Sequence, residues 1–372
     1  MIRKARVTSV DVAKRAGVSA SAVSRTFTPG ASVAKDTREK VLRAAHELGY
    51  RPNAIARSLI TSRSNIIGVV MAALDNQYHP QFLERLSDEL QKRGYQILLF
   101  RGPDEGHADV AVETILQYQV DGLILASATL SSEFAEKCVA AGAPVVLFNR
   151  TPHRGVCSSV TSDNVAGGQR IAEFLLAGGH KRFAFVAGGA NSSTNRDRER
   201  GYMRALNDAG ISNVLRAVGN YSFEGAREAA RELFSAVVRP DAIFVANDHM
   251  AFAVMDEARY RFGLAIPDDV SIVGYNDSRV SSWESYSLTT LEQPVDALVD
   301  ATVDVLINQI QSRSQSRRRI QVAGNLIVRR SAKLPPRGIV HAGAYQIWIP
   351  ERADPSAPLT AADKRDKAWA RV

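Results

Sequence analysis

The chemistry this chain could do lies in polar residues that follow apolar runs: Tyr78 and His79, Ser127, Asn149 and Arg150, Thr194, Arg198, Asn247 and Asp248, Asn276 and Asp277. Hydroxyls, carboxamides, an aromatic ring and one or two guanidinium groups suit a small polar solute held by hydrogen bonds in a cleft. They do not suit covalent or metal chemistry. No GxxxxGK(S/T), GxSxG, HExxH or GxGxxG pattern occurs, and the seven His are scattered. The carboxylates after strands are single rather than paired, so the expectation is no enzyme and no cofactor. "GGANSST" (188–194) is a Gly-rich loop that could approach a ligand, although turn formation explains it equally well. Asp and Asn at strand ends also cap helices, and Asp248 and Asp277 fit that role better than a ligand role.

Elements that could position these residues alternate from Ile66 onward. "IIGVVMA" is an apolar, β-branched run, as expected of a buried parallel strand, and "PQFLERLSDELQKRG" is an amphipathic helix ending at Gly94. The same alternation continues through "YQILLF", "DGLILAS", "PVVLFN", "RFAFVAG", "NVLRAVG", "AIFVAND", "VSIVGYND", "LTTLEQP" and "NLIVRRS". Helices are predicted over 108–117, 131–141, 198–209, 223–236, 249–262 and 294–311. Such alternation predicts α/β with parallel sheets, in two lobes because the segment exceeds one comfortable core. Ligands in these sheets bind at the carboxyl ends of strands.

The first sixty residues read differently. Thr8-Ser9-Val10-Asp11 fits a capping box, so a helix can start near residue 9, and Gly17 ends it with a tight turn. Ser19 caps a second helix through about Thr26, with Val23 inward. "KDTREKVLRAAHELG" supplies a third, with Val41, Leu42, Ala45 and Leu48 on its apolar stripe. Two short helices joined through a Gly-containing turn form a helix-turn-helix. Beyond Pro52, Asn53 could cap a helix of under two turns, too short to be stable alone in water.

Charge separates the head from the rest. Residues 1–63 hold thirteen Lys and Arg against four Asp and Glu, while residues 64–331 hold twenty-seven against thirty-one. A basic head on a mildly acidic body points to a polyanion at the head. No run of eighteen apolar residues predicts a membrane span, and the basic N-terminus lacks the apolar region of a secretory signal. Cys138 and Cys157 lie outside any CxxC or His-rich setting, which predicts buried free thiols in a cytoplasmic protein. The tail from Ala332 carries Pro335, Pro336, Pro350, Pro355 and Pro358 without periodicity. Disorder is expected over 333–372, with "AYQIWI" apolar enough to dock somewhere.

Residues 7 to 332 resemble bacterial transcription regulators of the lactose repressor and galactose repressor family. The resemblance rests on "VTSVDVAKRAGVSASAVSR" and "VAKDTREKVLRAAHELGYRPNAIARSL", with "VDGLILAS", "DNVAGG", "GGHKRFAFVAG", "RPDAIFVANDHMA", "IPDDVSIVGYND" and "LTTLEQP" further on. It implies an all-α helix-turn-helix headpiece (1–51), a hinge helix and linker (52–64), and a two-lobed α/β body with parallel sheets like periplasmic binding proteins (65–332). It implies a homodimer, in some members a tetramer, on a pseudo-palindromic operator in double-stranded DNA, with a small-molecule effector and no membrane. Thr8 and Ser19 match phosphate-contacting caps, Ala20, Ser21 and Arg25 the base-reading positions, and Ser24, Tyr50 and Asn53 lie among the DNA-binding positions. Leu59 matches the leucine that wedges into a minor-groove step, beside the small Ala56. Tyr78, His79, Ser127, Asn149, Thr194, Arg198, Tyr221, Asn247 and Asn276 fall on ligand-contacting positions. Sugar-binding members often carry Asp where this chain has Asn149 and Asn276, which leaves Arg198 without its usual anionic neighbours and predicts a ligand that bears negative charge. Two rival readings are a transporter's solute-binding protein and a DNA-binding regulator that answers to no ligand.

Overall fold

A computed structural model describes residues 7–28, 30–51, 63–71, 76–102, 108–126, 132–152, 155–312 and 316–350. The chain divides into two compact units, Met1–Ser64 and Asn65–Val372. Among the described residues no helix is long and apolar enough to cross a membrane.

In the first unit, α1 (Ser9–Ala16), α2 (Ala20–Thr26) and α3 (Lys35–Leu48) enclose a core of Val12, Ala13, Val23, Val41, Ala44 and Ala45. The capping box at Thr8 closes in both directions: Thr8 N–H donates to the Asp11 carboxylate at 2.9 Å, and Asp11 N–H donates to Thr8 Oγ1 at 3.4 Å. These bonds to the charged form hold the Asp11 carboxyl below its usual range. Gly17 takes the left-handed φ of 66° that the turn between α1 and α2 requires. Arg38 on α3 donates to the carbonyls of Thr26 and Ala31, so the α2 C-terminus and the loop after it are tied to α3. The expected stripe on α3 needs one correction. Leu42 is 46% exposed and Ala44 is buried instead, because Val41, Ala44, Ala45 and Leu48 follow the i, i+3, i+4, i+7 face while Leu42 sits about 100° off it.

The second unit holds two sheets. The first contains β1 (Ile66–Met71), β2 (Gln96–Arg101), β3 (Gly122–Leu125), β4 (Val145–Phe148), β5 (Ser158–Ser162) and β11 (Arg319–Val322), in the order β11-β5-β4-β3-β1-β2. Every pair in it is parallel; Val69, for example, lies opposite Leu99 on one side and Ile124 on the other. Helices α4 (Tyr78–Lys92), α5 (Ala108–Gln117), α6 (Ser132–Ala140) and α11 (Val295–Ser312) belong with it. The second sheet runs β13-β14-β12-β10-β9-β8-β6-β7. Its strands are β6 (Phe183–Ala187), β7 (Leu215–Val218), β8 (Ala242–Val245), β9 (Ser271–Asn276), β10 (Thr289–Glu292), β12 (Leu326–Val328), β13 (Ile339–Ala342) and β14 (Tyr345–Trp348). With it go α7 (Asn164–Ala177), α8 (Ser193–Asp208), α9 (Phe223–Phe234) and α10 (Asp248–Asp256), the last continuing as a π turn over Glu257–Arg261. The chain therefore crosses between the lobes three times: after β5, after β10 and after β11.

Two strands of the first sheet escape the sequence patterns. β5 reads SSVTS, yet it is buried throughout. Its hydroxyls are accommodated by bonds such as Gln309 Nε2 and Arg318 N–H donating to Ser158 Oγ, so polarity there does not mean exposure. β11, at the sheet edge, is half-exposed.

The expectation of disorder from residue 333 is wrong up to residue 350. β13 and β14 form a hairpin that adds to the free edge of β12, with Leu326 opposite Trp348 and Ile327 opposite Ile347. The register Ala342↔Tyr345 leaves a two-residue loop, Gly343-Ala344, with Gly343 at φ 61°. That is a primed hairpin turn with Gly first. Trp348 is 4% exposed, its Nε1–H donates to Arg337 O at 3.2 Å, and its ring meets Phe174 edge-on at 5.6 Å. We expect Trp348→Phe to lose that hydrogen bond and part of the packing, lowering stability by about 1–2 kcal/mol. Calorimetric melting of the full chain checks it; an unchanged melting temperature would show the hairpin adds nothing to the lobe. Residues 351–372 lie outside the described residues.

Candidate functional site

The carboxyl ends of several strands meet between the two lobes. β4 ends at Phe148, followed by Asn149 at φ 53°; β9 ends at Asn276 (φ 130°), followed by Asp277 (φ 54°); β10 is followed directly by Gln293. Asn is among the few side chains that tolerate such backbone, and strained strand ends are common at binding sites.

Arg198 reaches this junction from α8 and is 2% exposed. Its position depends on close contact between α7 and α8. A Cβ on Gly168 would lie 2.1 Å from Arg198 O, and one on Gly201 would lie 2.0 Å from Val165 O. Only glycine lets these backbones touch. The contact sets Asn164, at the start of α7, beside the guanidinium: Arg198 Nε–H donates to Asn164 Oδ1 at 2.9 Å. Its Nη1 donates to Ala246 O and its Nη2 to Gln293 Oε1 at 3.2 Å, while the Tyr275 ring lies 3.6 Å from the guanidinium carbon. Gln293 Oε1 also accepts from Asn149 Nδ2 at 3.1 Å and from Asn276 Nδ2 at 3.2 Å. The Tyr78 hydroxyl faces the same Gln293 and the charge of Arg198. Burial, with little relief from neighbours, pushes the Tyr78 phenol well above its ordinary range and the Tyr275 phenol up to about 12. Tyr78 OH, Asn149 Oδ1, Asn276 Oδ1, Gln293 Nε2 and Tyr275 OH are all buried and have no hydrogen-bond partner among the described residues. Buried polar atoms without partners are rare in folded proteins, and a cluster of them can take hydrogen bonds from water or from a polar solute.

A second group lies at the start of α8. Ser192 Oγ, Thr194 Oγ1 and Tyr221 OH sit within 2.8–3.3 Å of one another. Two contacts here and at the rim run from lobe to lobe: Thr151 N–H donates to Ser193 Oγ at 3.0 Å, and Arg279 pairs with Glu84 at 2.6 Å. Asn247 caps α10, its Oδ1 accepting from Met250 N–H at 3.0 Å. Asp248 fastens the β9–β10 ends: Thr290 Oγ1, Ser281 Oγ and Ser278 N–H all donate to its carboxylate. Asp277 pairs with Arg329 at 2.8 Å.

Of the expected ligand residues, Tyr78, Asn149, Arg198 and Asn276 therefore surround Gln293. Thr194 and Tyr221 form the hydroxyl group. His79 is half-buried beside Tyr78 on α4, Asn247 is engaged as a cap, and Ser127 lies outside the described residues. Asn164, Tyr275 and Gln293 were not picked out in the sequence. Each stands in a quoted segment ("DNVAGG", "VGYND", "LTTLEQP"), but no spacing rule distinguishes them.

On the headpiece, Ser19, Ala20, Ser21, Ser24 and Arg25 are exposed along one side of α2, while Val23 and Thr26 point into the core. Ser19 Oγ accepts from Ala22 N–H at 3.2 Å, as an N-cap does. Tyr50 is half-buried with its ring 5.7 Å from Phe27. Asn53, Ala56 and Leu59 lie outside the described residues.

Residues 9–53 match the family described as "Bacterial regulatory proteins, lacI family", and residues 172–332 match "Periplasmic binding protein-like domain". The ribose operon repressor of Escherichia coli (strain K12) is 32% identical over 331 residues, spanning 87% of this chain and 99% of that protein. The chain belongs to the lacI family. Among solved structures, the lac repressor dimer bound to operator and the anti-inducer ONPF is similar with a TM-score of 0.79, at 29% identity, over 88% of this chain and 99% of that one. The transcriptional regulator CelR–cellobiose complex is similar with a TM-score of 0.68, at 28% identity, over 88% and 100%. The lacI-family match covers α1, α2 and α3, and the binding-protein-like match covers Arg198, Asn276 and Gln293. That second match ends at residue 332, before the β13–β14 hairpin.

One titration follows from the site's edge. Burial, only partly offset by Arg329, pushes the Asp277 carboxyl up to about 6. A raised carboxyl holds its proton more tightly folded than unfolded. Its contribution to stability is fully present below its ordinary pKa of 3.8 and is lost as pH rises through about 6. Asp277→Asn should therefore remove a downward step in stability between those pH values. Carbon-detected NMR of the carboxyl checks the midpoint; a midpoint near 3.8 would contradict this account.

Proposed function

We propose that this protein is a transcriptional repressor that binds a pseudo-palindromic operator as a homodimer and whose operator affinity is switched by a small polar ligand, a sugar or sugar acid, in the cleft between its lobes. One observation carries the reading. The chain that presents a helix-turn-helix with an exposed α2 face also holds, between its lobes, a cluster of buried polar atoms without partners among the described residues. A solute-binding protein of a transporter would have no use for the first, and a ligand-blind regulator no use for the second.

In this reading Thr8 and Ser19 set helix N-termini against phosphates. Ala20, Ser21 and Arg25 face bases, Ser24 and Tyr50 touch backbone, and Asn53, Ala56 and Leu59 belong to a hinge in the minor groove, with Leu59 as the wedge. In the cleft, Tyr78, Asn149, Arg198 and Asn276 hold the ligand, with His79, Ser127, Thr194, Tyr221 and Asn247 around it. No catalytic step is assigned. Residues from both lobes meet at Gln293, so a ligand there changes the free energy of lobe closure. Operator affinity then shifts by the ligand's differential affinity for the two states, typically about 1–3 kcal/mol, and operator must shift ligand affinity equally. The test is a gel shift on DNA flanking this protein's own gene, with and without sugars and sugar acids. Failure to bind any palindrome there would defeat the regulator reading.

A further inference from the structure

Three N–H donors converge on one oxygen between the lobes. Gln293 Oε1 accepts from Asn149 Nδ2 at 3.1 Å, Asn276 Nδ2 at 3.2 Å and Arg198 Nη2 at 3.2 Å. Arg can only donate, so the atom of Gln293 that faces it is the oxygen, and both asparagines must turn their nitrogens toward it. A carboxamide oxygen has two lone pairs. Three donors on it, all at the long end of the N–H···O range, ask more of it than it can supply.

The charge around this point is also unbalanced. Among the described residues, all three hydrogen-bond acceptors of the buried Arg198 are neutral: Asn164 Oδ1, Ala246 O and Gln293 Oε1. The described acidic groups nearby are turned to other tasks. Asp163 caps α7 through Ala166 N–H, Glu292 accepts from Asn325, Asp277 pairs with Arg329, and Asp248 holds Ser278, Ser281 and Thr290. The Tyr275 ring beneath the guanidinium offsets part of its desolvation but is not a counter-ion. Beside the three donors lie two acceptors without partners among the described residues, Asn149 Oδ1 and Asn276 Oδ1, and two such donors, Gln293 Nε2 and Tyr78 OH.

We propose that Gln293 Oε1 stands where a carboxylate oxygen of the effector binds, and that the effector is a polyhydroxylated monocarboxylic acid. Its anionic oxygen displaces the Gln293 carboxamide and takes the three donors. Its hydroxyls donate to the two free Oδ1 atoms. A charged acceptor draws N–H donors in to about 2.7–2.9 Å and binds them roughly twice as strongly as a neutral one. Asn149 comes from one lobe, and Asn276 and Arg198 from the other, so the exchange tightens the link between lobes. A phosphate dianion would bring two charges and three oxygens to a point with one cation, which favours the monoanion. The proposal rests on the cleft reading above.

Its test has two independent arms. In the first, Gln293→Glu makes the carboxylate resident; this variant is expected to melt above wild type at pH 7 without any ligand, and melting below wild type would overturn the proposal. In the second, wild-type full-length protein is titrated calorimetrically, at fixed ionic strength, with D-gluconate, D-galactonate, D-glucuronate and D-galacturonate, and with glucose, galactose, sorbitol and galactitol. At least one acid should bind about tenfold or more tightly than its neutral parent, and Gln293→Glu should lose that preference. A neutral parent that binds as tightly as its acid overturns the carboxylate while leaving the cleft reading intact. Loss of the cleft reading shows elsewhere: operator affinity would respond to no solute of either charge, and the melting comparison would still decide the three-donor site.

Discussion

Arg25→Ala should erase the operator preference at one symmetric base pair and leave the remaining preferences nearly unchanged. The exposed side of α2 offers Ala20, Ser21, Ser24 and Arg25 to whatever it meets. Of these only Arg25 can bridge O6 and N7 of a guanine, a contact that discriminates by about 1–3 kcal/mol. Ala20 can do no more than touch a thymine methyl, and Ser21 bonds to several bases without preference. A dimer uses Arg25 twice, so the loss over both half-sites is about 2–6 kcal/mol, roughly 30-fold to 25,000-fold in affinity for the best site. Stability should hold, because Arg25 is exposed and Ala is the better helix former. Selection from random DNA with wild type and variant checks this. Wild type should show one stringent base per half-site, and the variant a flat profile there. If every half-site position of wild type proves equally stringent, α2 reads with more than Arg25 and the assignment is wrong. Specificity beyond that base is expected from deformation of the central step by Leu59.

Why the exposed face of α2 was legible in sequence and the cluster around Gln293 was not comes down to periodicity. α1 and α2 carry their own punctuation: the Thr8–Asp11 box, Gly17 and Ser19 are all found in the roles their types suggest. The parallel strands announced themselves because β1, β3, β4, β6 and β8 are continuous apolar runs. β5 did not, because hydroxyl-rich SSVTS is buried with Ser158 Oγ accepting from the distant Gln309 and Arg318, which no hydropathy window registers. The β13–β14 hairpin was hidden by its proline-rich setting, although its Gly343-Ala344 turn and alternating YQIW carried the signal. Within the cleft, strand-end residues were picked out by position alone. Gln293 was not, since its importance arises from Asn149, Asn276 and Arg198 arriving together from segments up to 144 residues apart. Asn247 stands at a strand end too, and its Oδ1 caps α10.

Arg198→Met should cost the protein its solute response and much of its thermal stability at once. The side chain holds Asn164 Oδ1, Ala246 O and Gln293 Oε1 together between α7, β8 and the β10–α11 crossing. Methionine matches the stem but leaves three buried acceptors without that donor, a loss of about 2–5 kcal/mol. A solute that took the Nη2 hydrogen bond in place of Gln293 would lose about 1.5–3 kcal/mol, and so bind about tenfold to a hundredfold more weakly. Arg198→Lys separates the two effects. It keeps the charge but not the planar fork, so solute affinity should recover in part while the bonds to Asn164 and Ala246 are not both restored. The headpiece has its own core in Val12, Val23 and Val41, so both variants should still bind operator fragments selected by wild type when no solute is present. Anisotropy of labelled operator, titrated with the acids and their neutral parents, reads the response, and calorimetry reads the stability. Should Arg198→Met keep the wild-type solute response, the ligand does not bind at this junction, and the buried cluster around Gln293 serves only to hold the two lobes in register.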